Sequence, residues 1–293
     1  MSRLGLAKLV LCLGIAGVYS AFAAPANAEP QPFGGGRRVT VHTQPTLYIS
    51  DFFSGVVEIY AQKGHDQRPI GSITGLGASL GLFVDERRHF YISQAGGAAV
   101  LEFAPGGTTP EKIYDDAGHL PQGVTRCPNG TLYVSNVDGD TISVYAHGST
   151  EPTRTLVDSG VQVFSLACDA ASDLFVTVGG KQYQVDEFIA GSSEAVNLPI
   201  SLTFPEGIQI DRAGDIVVAD GAGGSVEFYH VGDATPFYSI KVPNGSFQLS
   251  FDRDDAYLWV TTANDVERYA VSSGRMADAI ALTAGALAAS PAD

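Results

Sequence analysis

Glu206, Gln122 and Gln248 are the residues whose type and spacing come nearest to a built site. Each stands at the start of a short apolar run, in PEGIQI (205–210), PQGVTR (121–126) and FQLSF (247–251), and they lie at multiples of 42 residues. A step of 42 backwards brings Phe164 and Leu80 to the same position, and a step of 43 brings Arg37. Equivalent positions in a repeating chain converge on one axis, so one acid, two amides, one arginine and two apolar side chains would form a ring. A carboxylate and two amide carbonyls can coordinate a hard cation or hydrogen-bond a polar ligand. Ca²⁺ usually gathers ~6–8 oxygens with several carboxylates, and Arg37 would oppose it. Polar lining without a cofactor is therefore the preferred reading. A Ca²⁺ or other divalent site at Glu206, Gln122 and Gln248 is the alternative.

A second equivalent set is Asp51, Gln94, Asn136, Val178, Asp220 and Thr262, each directly after a strand-like run. Asp and Asn at such places accept backbone N–H groups of their own loop, the role expected for Asp51, Asn136 and Asp220; contact with a ligand is their second possible use. His119 lies in a loop just before Leu120-Pro121 and could reach the same mouth, although a solvated loop histidine is the more ordinary reading. The six histidines form no HxH or HExxH pair, and no serine sits in a G-x-S-x-G elbow. The glycine-rich runs 34–36 and 221–224 lack the lysine and helix of a phosphate cradle. No catalytic set is expected.

The elements that position these residues are copies of one unit, PQGVTRCPNGTLYVSNVDGDTISVY at 121–145. It reads as three short strands joined by a tight Asn-Gly turn and a polar loop. Its second strand recurs as LYIS, FYIS, LYVS, LFVT, IVVA and LWVT, ending at Ser50, Ser93, Ser135, Thr177, Ala219 and Thr261. A regular period in the ~40–45-residue range marks four-stranded propeller blades. Apolar residues on both faces of these strands suit a sheet covered on both sides. Each third strand ends in an aromatic (Tyr60, Phe103, Tyr145, Phe188, Tyr229, Tyr269) expected to pack between blades. The sequence thus predicts an all-β, six-bladed β-propeller of four-stranded antiparallel blades.

The segment PEGIQIDRAGDIVVADGAGGSVEFY (205–229) resembles an NHL repeat, P-x-G-I-A-V-D, a turn, L-Y-V-A-D, then V-x-V-F/Y, and PQGVTRCPNGTLYVSN matches nearly as well. The resemblance runs through all six units and implies the same propeller. Such propellers include binding scaffolds, lyases and lactonases, so the fold leaves the activity open. In the distantly similar gluconolactonase/senescence-marker propellers, acids and amides at the starts of inner strands hold a divalent cation; here only Glu206 is an acid in the matching place.

Residues 1–28 read as a signal peptide: Arg3 and Lys8, an apolar stretch, then Ala26-Asn27-Ala28 as the cleavage site. The apolar stretch is too short and too interrupted for a membrane anchor. Export to a periplasm or the exterior is expected. Cleavage removes two basic residues and no acids, leaving 15 Lys and Arg against 32 Asp and Glu. So acidic a chain offers no electrostatic footprint for nucleic acid, and no later segment is long and apolar enough to span a bilayer. Residues 29–36 read as an extension, 37–283 as the propeller with residues 37–41 opening blade 1, and 284–293 (AGALAASPAD) as a disordered tail. Which end closes the ring is left open. Cys127 and Cys168 could form a disulfide after export, but they are one residue out of register, which argues against it. The expected protein is a monomeric, non-catalytic binding module for an unknown protein or small molecule, with a metal-dependent lactonase, hydrolase or lyase as the alternative.

Overall fold

The computed structural model describes residues 45–51, 54–62, 67–116, 118–136, 139–158, 161–180, 183–263, 265–281 and 286–292. The expected signal peptide, the extension, Arg37 and the strand at 37–41 lie outside the described residues. The chain forms six four-stranded antiparallel sheets, the blades of a six-bladed β-propeller. Inner strands are Ser79–Val84 in blade 2, Pro121–Arg126 in blade 3, Val161–Cys168 in blade 4, Pro205–Ile210 in blade 5 and Leu249–Phe251 in blade 6. The last blade carries its own outer strand, Arg275–Ala281. No helix among the described residues is long and apolar enough to cross a membrane.

Blade 1 corrects the expectation for both ends of the propeller. Its second to fourth strands are Thr46–Asp51, Val56–Ala61 and Gly71–Ile73, but its inner strand is Ala286–Ala292 from the far end of the chain. The segment expected to be a disordered tail pairs antiparallel with Thr46–Asp51, from Thr46↔Ala292 to Asp51↔Ala286. It thereby takes the place assigned to residues 37–41. Pro291 is tolerated because an innermost strand has a sheet partner on one side only.

Six apolar clusters occupy the six junctions between neighbouring blades. The third-strand aromatics are shared out one to each: Tyr60, Phe103, Tyr145, Phe188, Tyr229 and Tyr269. The junction of blades 6 and 1 combines Trp259, Val266 and Ile280 with Leu47, Ile49 and Tyr60. The ring is therefore packed all the way round, as both-face apolar strands require.

The small residue ending each second strand has a further role. Ser93 Oγ accepts the Gly81 N–H of its own blade at 2.7 Å and donates to the Gln122 carbonyl of the next. Thr177 Oγ1 likewise accepts from Ser165 N at 3.1 Å and donates to the Glu206 carbonyl, while Ser50 Oγ donates to the Leu80 carbonyl at 3.3 Å. These hydroxyls staple neighbouring blades at β-bulges of the inner strands. In blade 5 the residue is Ala219, and Gly207 N–H reaches the Phe247 carbonyl directly at 2.6 Å. Ser93→Ala would strand a buried N–H and a buried carbonyl, and is expected to cost about 2 kcal/mol in urea unfolding; wild-type stability would show that the staple contributes nothing.

Cys127 and Cys168 form a disulfide between blades 3 and 4, with Cα atoms 5.3 Å apart, contrary to the register argument. That argument treats blades as parallel copies. Inner strands converge on an axis, and a one-residue offset between them remains within disulfide reach, since Cα–Cα distances of ~4.4–6.8 Å are usual.

Candidate functional site

The residues before the inner-strand bulges stand at one end of the propeller. By strand register the sixth position falls at residue 287, at the bulge opposite Ser50 and Asp51. The other five positions are Leu80, Gln122, Phe164, Glu206 and Gln248. Glu206 is 2 % exposed and Gln122 7 % exposed, whereas Gln248 is half-buried. Glu206 Cγ occupies the space beside Gly221, where an added Cβ would come within 3.3 Å of it, just as the Phe164 ring fills the space beside the equivalent Gly179. Phe164 packs on Phe204, with ring centroids 5.7 Å apart, and Tyr183 also packs on Phe204 at 5.1 Å. The acid thus sits in an aromatic, water-poor setting.

Burial pushes the Glu206 carboxyl up to about 8, so it is mainly the neutral acid at pH 7. Its Oε1 and the Oε1 of Gln122 are buried and have no hydrogen-bond partner among the described residues. Asn136 Oδ1 and Trp259 Nε1 are in the same condition elsewhere in the propeller, and each such atom is a place for a water or a ligand group. The set can donate one proton from a neutral acid and accept through amide and carboxyl oxygens.

The loop residues divide. Asp220 Oδ1 accepts from Phe204 N at 2.9 Å and Gly223 N at 3.0 Å, and its Oδ2 accepts from Thr203 N at 3.0 Å. Asp51 accepts Ser54 N at 3.2 Å. Both carboxylates hold their own loops. Asn136 donates through Nδ2 to Thr141 Oγ1 and Ser143 Oγ, 3.1 Å each, and so ties the second strand to the third. His119 is half-buried and its N–H bonds the Asp116 carbonyl at 3.0 Å. No hydrogen bond recorded among the described residues joins Glu206, Gln122, Gln248 and His119 to one another.

Two features lay beyond the sequence reading. A cavity of about 350 Å³ opens at the opposite end, where inner strands finish, lined among others by Asp85, Arg126, His147, Gln209 and the Cys127–Cys168 bridge. Between blades 3 and 4, buried Asp158 faces buried Asp186, which also accepts from Gln184 and Asn197. The preceding junction has Asp116 accepting from Ser143 at 2.6 Å in the corresponding place. Burial first, then Asp186, raises the Asp158 carboxyl to about 7. A raised folded-state value stabilises the fold at low pH and loses that contribution as pH climbs through 7. Stability should fall through this group as pH rises from the unfolded-state value of about 4 towards 7. Asp158→Asn should flatten that slope in thermal melts; an unchanged slope would mean the pair does not share a proton.

No family profile matches the chain, and no curated protein is significantly similar to it. Among solved structures it is similar to a chain of a nidogen/laminin complex, with TM-score 0.69 and 14% identity over 85% of this chain and 98% of that one. It is also similar to selenomethionine-substituted virginiamycin B lyase from Staphylococcus aureus, with TM-score 0.57 and 13% identity over 88% of this chain and 86% of the other. At these identities the likeness establishes the propeller fold.

Proposed function

We propose that this chain is an exported, NHL-like binding module without catalysis, and that a polar ligand group meets the ring formed by Glu206, Gln122 and Gln248. The observation that carries the reading is the pair of buried, unpaired oxygens on Glu206 and Gln122. A ligand supplying hydrogen-bond donors and acceptors would satisfy them, whereas Ca²⁺, which usually gathers ~6–8 oxygens with several carboxylates, would meet a single acid and two amides here. Export agrees with the Cys127–Cys168 bridge, since disulfides persist in oxidising compartments. Protein recognition by this architecture has a parallel in the nidogen/laminin complex.

The lyase or lactonase alternative takes its support from the fold shared with virginiamycin B lyase. The two readings part in a titration of purified protein with CaCl₂ together with a ligand-observed NMR screen of neutral polyols and amides. The binding reading expects no Glu206-dependent Ca²⁺ uptake and at least one ligand whose signal is lost in Glu206→Leu. One Ca²⁺ per chain, lost in Glu206→Ala, or turnover of a bound lactone, would replace it with the enzyme reading.

A further inference from the structure

We infer that blade 2 carries a second, independent site: a Zn²⁺ site on the outer part of the blade, built from His89, Glu102 and Glu111. The ligand atoms of these three side chains already lie within 4.8 Å of one another. They come from the start of the second strand (Phe90–Gln94), the third strand (Ala99–Phe103) and the fourth (Pro110–Asp115).

The backbone places Glu111 deliberately. Glu102 pairs with Lys112 and Phe103 with Pro110, so a bulge between those pairs leaves Glu111 as the extra residue. Bulges re-aim side chains in this manner, and here Glu111 Oε1 comes to 3.5 Å from His89 Nε2. In regular pairing Glu111 would point to the other face of the sheet. The imidazole is also set up for a metal. His89 Nδ1 lies 3.3 Å from Asp85 Oδ2, and Asp85 is itself fixed by the N–H groups of Arg87 and His89 at 2.9 and 2.8 Å and by Arg126 Nη1 at 3.1 Å. A carboxylate holding one ring nitrogen leaves the other as the ligand, the arrangement that orients metal-binding histidines.

One imidazole nitrogen and two carboxylates form a Zn²⁺ donor set with a fourth position for water or a partner's side chain. Glu102 is buried, and Tyr114 and Lys112 donate to its carboxylate. Lys112 holds both Glu102 oxygens at 2.9 and 3.0 Å. Its side chain is 48 % exposed, so the flexible stem can swing into solvent and yield the place to a doubly charged ion.

Calorimetric titration of the full, disulfide-bonded chain with ZnCl₂ tests this. The expected result is one Zn²⁺ per chain, weakened more than about thirtyfold in His89→Ala and about tenfold in Asp85→Asn, since losing a group that orients a metal-binding histidine typically costs ~10–100-fold. Lys112→Met should bind at least as tightly as wild type, and Glu206→Ala should bind unchanged, which separates this site from the ring. If His89→Ala fails to fold by circular dichroism, Glu111→Gln at the exposed edge takes its place, with the loss read also as the visible bands of bound Co²⁺. No saturable Zn²⁺, or Zn²⁺ retained by a folded His89→Ala or Glu111→Gln, overturns the site.

Discussion

Deleting residues 282–293 is expected to abolish cooperative folding. The deletion removes the inner strand of blade 1, which pairs with Thr46–Asp51 at six register positions. At about 1 kcal/mol net for each hydrogen bond, roughly 5 kcal/mol is lost before packing is counted. A domain holds only ~5–15 kcal/mol in total. The loss also opens the ring beside the junction where Trp259 meets Leu47 and Ile49, and bares an unpaired strand edge that invites aggregation. Circular dichroism melts and limited proteolysis read the effect. A truncated chain that melts like wild type would mean that another segment closes blade 1.

The second large effect belongs to the disulfide. Cys127 and Cys168 are 41 residues apart, and tying off a loop of that length removes unfolded-state entropy worth about 4 kcal/mol. The double substitution Cys127→Ser with Cys168→Ser should lower urea-unfolding stability by that order, and a reductant should do the same to wild type but leave the double variant alone. Equal stability of all three would mean that the bridge does not form in solution.

The architecture was legible because each blade buries both faces, so its strands recur as apolar runs punctuated by glycine, proline and asparagine. The closing strand was not. AGALAASPAD has no β-branched or aromatic residue, and it becomes a strand only because Thr46–Asp51 offers a free sheet edge. Intrinsic propensity is silent where a tertiary partner decides. The 42-residue step placed Glu206, Gln122 and Gln248 at equivalent positions, yet it could not show that Glu206 is buried beside aromatics; that depends on Phe204 and Tyr183, which lie outside the aligned strands. It did not carry over to blade 1, whose inner strand comes from the other end of the chain. The His89, Glu102 and Glu111 cluster was equally hidden, since a bulge that re-aims one glutamate leaves no periodic trace. By contrast, Asp158 and Asp186 correspond to Asp116 and Ser143 in the preceding junction, so aligning the repeats position by position would have exposed the substitution of an acid for a hydroxyl.

The most direct test of the ring as a ligand site is the protonation state of Glu206 itself. A difference infrared titration of wild type against Glu206→Gln, run with and without CaCl₂, isolates its protonated carboxyl band. The band should persist at pH 7, disappear with a midpoint near pH 8 and ignore Ca²⁺. An ionised Glu206 at pH 7 that takes up one Ca²⁺ per chain would contradict the account and make the ring a metal centre.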